Sequence, residues 1–183
     1  MMPRCHDHGL LVAGIVCFSL LMACSPSEKD RLLHKIVAER ARHATNDERR
    51  HIVEAVVRAE RRTGVDALLL LSMAEEESHF KPGARSRRGA LGLLQVRAAT
   101  GKDVAARNGI PWDGEASLLE PRVNVLIGAT YLSELRTRFD SWDLALTAYH
   151  QGPTKTKRLA KSGRNPSSRY AARVLRRLDA WRR

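Results

Sequence analysis

Residues 67–74 read ALLLLSMA, and a helix built from them has no polar face. A helix that is apolar nearly all round has to be buried on every side. Any domain that contains it must therefore wrap around it. Asp66 stands where it can cap the first turn, and Gly64 can end the preceding helix in a left-handed conformation. The apolar run leads straight into three acids, Glu75, Glu76 and Glu77. Carboxylates at a helix C-terminus oppose the helix dipole, so this run is either a solvated face or has a further purpose. Periodicity does not choose among them. Glu77 continues the stripe Leu70, Met73, Ala74, but Leu69 and Met73 lead equally well to Glu76. Whichever carboxyl points into the packed side has its pKa raised by desolvation.

After residue 79 the chain turns polar, with Pro82, Gly83 and Gly89. Pro82 biases Lys81 out of the helical region. A Gly-rich segment then closes on Gly92-Leu93-Leu94-Gln95-Val96. A buried acid facing such an opened loop is one way to build an acid/base cleft. Residues 90–100 fit either a short extended piece or a turn into another helix.

The remaining pattern is helical. Thr45 and Glu48 have capping-box spacing. Ile52, Val53, Val56 and Val57 then lie opposite Arg49, Arg50, Arg58 and Arg61. Val123, Leu126, Ile127, Tyr131 and Leu135 form a second stripe, in which Gly128 permits close packing. Ser141 caps a helix carrying Trp142, Ala145, Leu146 and Tyr149, stopped by Gln151-Gly152-Pro153. Residues 155–164 read as a basic loop, and Tyr170, Val174, Leu175, Leu178 and Trp181 share one face of a last helix. No convincing series of strands appears. The expected fold is all-α, with at most a minor β element. Residues 31–42 fit a helix or a loosely ordered tether.

Among 183 residues the formal net charge is +12. Such a balance favours acidic partners: nucleic acid, an anionic membrane surface or an anionic polymer such as a cell wall. Only three each of Trp, Tyr and Phe are present, too few for a base-stacking platform, so nucleic acid is not expected. The three cysteines, Cys5, Cys17 and Cys24, all fall within the first 24 residues and cannot staple a globular domain. Cys5-His6-Asp7-His8 matches no common zinc spacing. No metal or organic cofactor is expected.

Residues 9–23 are an apolar run of 15, short of the roughly 20 that span a bilayer. Arg4 precedes it, with Asp7 between, in the shape of a secretory signal. The run ends Leu21-Met22-Ala23-Cys24, which resembles a lipobox. The resemblance implies cleavage before Cys24 and acylation of Cys24, where several chains hold more firmly than one. Ser25, not Asp, goes with the outer membrane in lipoproteins of that kind. The expected division is a lipoprotein signal peptide at 1–23, a tether and optional helix at 24–44, and a catalytic domain at 45–183.

Glu77-Ser78, Pro82, Ala84, Ser86, Gly89-Ala90 and Gly92-Leu93-Leu94-Gln95-Val96 together resemble the signature of soluble lytic transglycosylases. These are lysozyme-like enzymes that cut the glycan of peptidoglycan. The resemblance continues through Asn124, Gly128, Tyr131-Leu132, Ala148-Tyr149, Gly152-Pro153, Tyr170 and Val174-Leu175. It implies that Glu77 is the catalytic acid, acting between N-acetylmuramic acid and N-acetylglucosamine and leaving a 1,6-anhydro end. It further implies that Ser86, Gln95, Tyr149, His150 and Tyr170 lie on the substrate side. Ser78 supports the glutamate, and Gly89 and Gly92 supply backbone freedom and close approach of sugar. Leu94 replaces a common Met, Ala98 a common Pro, and His150 the usual Asn. The expected setting is the periplasmic face of a bacterial outer membrane. Peptidoglycan strands and, through Cys24, the membrane are the expected partners, alongside an unnamed wall-spanning machine. Two alternatives are a goose-type lysozyme that hydrolyses with water and a non-catalytic wall-binding lipoprotein. Asp103 and Asp113 are the remaining acids to test for the first.

Overall fold

Nine of the twelve residues of the apolar helix are buried in the computed structural model, which describes residues 26–162 and 166–183. This helix, α3 (Ala67–Ser78), starts where Asp66 accepts a hydrogen bond from Leu68 N and ends at His79 in the left-handed region. Around it lie α1 (Glu28–Arg40), α2 (Asn46–Thr63), α4 (Ala98–Asn108), α5 (Pro121–Phe139), α6 (Trp142–Gln151), α7 (Pro153–Lys161) and α8 (Arg169–Trp181). The strands β1 (Ala90–Leu91) and β2 (Val96–Arg97) pair antiparallel, Ala90 opposite Arg97 and Leu91 opposite Val96. The fold is all-α with one minor hairpin, as the sequence predicts.

Local signals account for most helix ends. Thr45 and Glu48 form a reciprocal capping box at α2, and Gly64 closes that helix at φ 72°. Ser141 caps α6 and Gly152 ends it. Pro153 then opens α7 at a position where its missing N–H is no loss.

Two features differ from the sequence reading. The first is the N-terminal stretch. Residues 28–40 form a helix with its own Ser27–Asp30 capping box. Leu33, Ile36 and Val37 are buried in the same core as α3, and burying each contributes about 1.5–3 kcal/mol. The compact unit therefore begins before Thr45. The second is the basic loop at 155–164, which is helical to Lys161. Lys and Arg are good helix formers, and the seat is made by buried Thr156, whose hydroxyl donates to Gly152 O. The signal peptide at 1–23 and Cys24 lie outside the described residues. Among the described residues no helix is long and apolar enough to cross a membrane.

Candidate active site

The acidic run at the end of α3 is divided by its partners. Glu75 is paired with Arg40 of α1 at 2.5 Å and with Arg177 of α8 at 3.0 Å. Glu76 is paired with Arg173 at 2.6 Å and Arg177 at 2.8 Å. Burial pushes the Glu76 pKa up, but hydrogen bonds from these two guanidiniums outweigh it and hold the carboxyl below its usual value. The arginines also offset what the helix dipole makes unfavourable. Glu77 has no such cation. It opens into a cleft of about 660 Å³, and among the described residues it is the one acid that lines it. Burial raises its pKa from 4.5 to about 7; neighbouring Glu76 raises it further, and Tyr170 opposes. The choice between Glu76 and Glu77 that periodicity leaves open is thus made by α8, a helix nearly a hundred residues away in sequence.

Tyr170 sits in the first turn of α8 and is 4% exposed. Its hydroxyl makes no hydrogen bond of standard geometry among the described residues. It is nonetheless close enough to Glu77 for burial and that carboxylate to drive the phenol pKa well above its usual value. His150 stacks on the Tyr170 ring, centroids 4.5 Å apart and 9° from parallel. Burial, then Arg173, lowers the His150 pKa, which favours the neutral ring at neutral pH.

The facing wall is the hairpin of β1 and β2. Ser86 Oγ accepts from Ala90 N at 2.9 Å, and Gly92 N donates to Ala84 O at 2.9 Å. Gln95 adopts φ 48°, and its Nε2 donates to Gly92 O at 2.9 Å. Ser86 and Gln95 both line the cleft while also fastening the loop. Tyr149 lines it too, but its hydroxyl donates to Leu94 O at 2.9 Å. It presents a ring to the cleft, and its donor is already committed. Ser78 is buried and donates back to Ala74 O at 3.0 Å, completing the end of α3.

The glycines have different reasons. At Gly92 (φ +75°) an added Cβ would lie 2.2 Å from Leu118 O and 2.3 Å from Asn124 Nδ2. The close approach there is by this protein's own chain, rather than by sugar. Gly89 (φ +74°) has open space and needs only its backbone conformation. Gly128 lets α5 press on the loop, since a Cβ there would meet Leu94 Cδ1 at 2.7 Å.

One residue outside the expected site holds this wall together. Asn124, fully buried, accepts from Leu94 N at 2.8 Å. Its Nδ2 donates to Leu91 O and Leu118 O, both at 2.8 Å. Its signal in the sequence is a lone amide between Val123 and Val125 on an apolar stripe. Arg88, Arg97, Thr100, Tyr131 and Lys155 also line the cleft, with no sequence signal that places them there. Among the described residues no cluster of His, Cys, Asp or Glu could hold a metal ion.

The sequence model of the family described as Transglycosylase SLT domain matches residues 54–171. The chain belongs to the SLT transglycosylase family. Two relatives of this SLT domain are named Membrane-bound lytic murein transglycosylase C. The protein from Edwardsiella ictaluri is 35% identical over 127 residues, 68% of this chain and 31% of that one. The protein from Shigella sonnei is 38% identical over 119 residues, 58% of this chain and 33% of that one. Among solved structures, lytic transglycosylase Slt of Pseudomonas aeruginosa superposes with a TM-score of 0.65 at 25% identity, over 83% of this chain and 29% of that one. The 70 kDa soluble lytic transglycosylase of Escherichia coli gives 0.63 at 23% identity, over 70% and 24%, a likeness of fold. The SLT chain thus spans a third or less of these proteins.

Proposed function

We propose that this SLT domain is a peptidoglycan lytic transglycosylase that cleaves the β-1,4 bond between N-acetylmuramic acid and N-acetylglucosamine. The observation that carries the reading is Glu77, which among the described residues is the one acid in the cleft and has no cation partner, with its pKa lifted to about 7. Near neutral pH such a carboxyl is available in both protonation states, as an acid that later serves as base requires. Glu77 donates its proton to the glycosidic oxygen as the bond from C1 breaks. The C6 hydroxyl of the same muramic sugar attacks C1, and its proton passes to the Glu77 carboxylate. The proton balance closes without water, and a 1,6-anhydro ring results.

Most hydrolytic glycosidases carry a second carboxylate, roughly 5–5.5 Å from the first when it is the nucleophile and roughly 6.5–9.5 Å when it activates water. Asp103 is paired with Arg107 on the surface of α4, and neither it nor exposed Asp113 lines the cleft. This supports the internal hydroxyl over water as nucleophile. Tyr170 orients Glu77, and His150, Gln95 and Ser86 face the sugars. The relatives named membrane-bound support a periplasmic, membrane-associated setting. Acylation at Cys24 and the outer membrane are the finer form of that reading.

The test is mass spectrometry of products released from purified peptidoglycan by the chain and by Glu77→Gln. Anhydromuropeptides from the first alone are expected. Reducing ends would make the protein a lysozyme. Binding without products from either would make it a wall-binding protein.

A further inference from the structure

The ion pairs at the end of α3 join into one alternating chain. Arg40 of α1 holds Glu75, Glu75 shares Arg177 of α8 with Glu76, and Glu76 also takes Arg173, one turn earlier on α8. The two carboxylate side chains are only 13% and 11% exposed, so salt and water screen these pairs less than pairs at the surface. Tyr170, Arg173 and Arg177 stand at i, i+3 and i+7, on one side of α8. The turn that Glu76 grips is therefore the turn that brings the buried Tyr170 hydroxyl to the Glu77 carboxyl. Arg40, Arg173 and Arg177 all lie outside residues 54–171, the stretch that matches the family model.

The same chain bears on the charge beside the acid. Burial raises the Glu77 pKa, Tyr170 opposes, and the charge of adjacent Glu76 adds to the rise. Two guanidiniums on Glu76 limit that push. The other groups around Glu77 offer no such control. Tyr149 from α6 and Tyr170 from α8 face it as phenols that burial keeps protonated. Tyr131 of α5 lies behind Tyr149, and His150, which burial and then Arg173 hold toward the neutral form, lies behind Tyr170. Arg88, Arg97 and Lys155 line the same cleft, but none of them shifts the acid.

We propose that the chain Arg40–Glu75–Arg177–Glu76–Arg173 is a positioning network for the reaction, tying α1 and α8 to the end of α3 so that Tyr170 stays against Glu77 and the charge beside that acid is compensated. The inference rests on Glu77 being the acid of the reading above. The arginines act through Glu75 and Glu76 and touch no substrate. A carboxylate gripped in a guanidinium fork is fixed in direction as well as in charge, which is what an adjacent acid needs from its neighbour.

The experiment titrates Glu77 by carboxyl NMR of the full chain with labelled glutamate, without substrate, in the wild type, Glu76→Gln, Arg173→Gln and Arg40→Gln. Glu76→Gln removes the negative neighbour, and the Glu77 midpoint should fall by about half a pH unit or more. Arg173→Gln leaves Glu76 charged on Arg177 alone, and the midpoint should rise by a similar amount. Arg40→Gln draws Arg177 toward Glu75 and should raise it by less. The alkaline limb of kcat/KM on peptidoglycan should move in the same directions. Arg173→Gln should also lose about tenfold in kcat with KM little changed, and Arg173→Lys should return the midpoint toward the wild type. A tie that merely fastens helices would lower the melting temperature and leave the midpoint where it is. Midpoints that stay within about 0.2 pH unit of the wild type, or that move the same way in Glu76→Gln and Arg173→Gln, overturn the network. Circular dichroism verifies folding; should Arg173→Gln fail to fold, Glu76→Gln and Arg40→Gln make the same opposed test. If the wild type releases no anhydromuropeptides, the transglycosylase reading itself fails, and the titrations still decide whether the network sets the state of Glu77.

Discussion

Burying an acid without a cation has a cost to folding, and at Glu77 that cost is large enough to measure. The folded pKa is about 7 against 4.5 for the exposed group. Between those values the folded state holds a proton that the unfolded state has released. Stability therefore falls as pH rises through this window and levels off above pH 7. At 1.36 kcal/mol per pH unit the loss amounts to about 3 kcal/mol. Glu77→Gln cannot ionise, so it should match the wild type below pH 4.5 apart from a constant offset. By pH 8 the difference should have moved in its favour by about 3 kcal/mol. Urea unfolding of both proteins at half-unit steps from pH 4 to 8, with m held common, reads the difference directly. Because other titrating groups are shared, they cancel. Curves that stay parallel within about 0.5 kcal/mol would refute the claim that Glu77 is held desolvated and uncompensated, whatever the enzyme does to peptidoglycan.

Other predictions concern the loop wall and the reaction. Asn124→Ala strips partners from one buried N–H and two buried carbonyls. At about 1–3 kcal/mol for each orphaned group, it should lower stability by at least about 3 kcal/mol in urea melts; a loss under 1 would show that water replaces the amide. Gly92→Ala places a methyl 2.2 Å from a backbone carbonyl, whereas Gly89→Ala meets nothing. The second should cost about 1–2 kcal/mol from its positive φ alone, and the first visibly more, by thermal melting of the two side by side. In dye-release assays on labelled peptidoglycan, if Glu77 is the acid as proposed, kcat/KM should decline tenfold per pH unit above about 7 as Glu77 loses its proton. Retained activity at pH 9 would remove Glu77 from the acid role.

The parts of this molecule that are legible in sequence are those decided by neighbours along the chain. The Thr45–Glu48 box, the Gly64 cap, the stripe of α5 and the stop at Gly152 all depend on residues within a turn or two. Glu77 is different. Sequence periodicity leaves it tied with Glu76, and the tie is broken by Arg173 and Arg177, whose reach back to α3 only tertiary packing reveals. Asn124 escapes for a similar reason, since its three partners come from two segments upstream of its helix. Lys and Arg in α7 read as a loop because a run of polar residues carries no apolar periodicity. Their propensity is helical, and the apolar stripe expected of a packed helix is short there.

If the chain is held at Cys24 as proposed, the position of α1 would set how far the cleft can travel. The helix begins at Glu28 behind its Ser27 cap and is welded into the core through Leu33, Ile36 and Val37. Only three residue steps separate Cys24 from Ser27, a reach of about 10 Å even when fully extended. A domain of this size is about 40 Å across. With Cys24 acylated as proposed, the catalytic centre would hang on a very short leash, confined to glycan within roughly 50 Å of the lipid surface. Strands beyond that depth would be out of range however well they fitted the cleft, so depth in the wall would select the substrate before chemistry does.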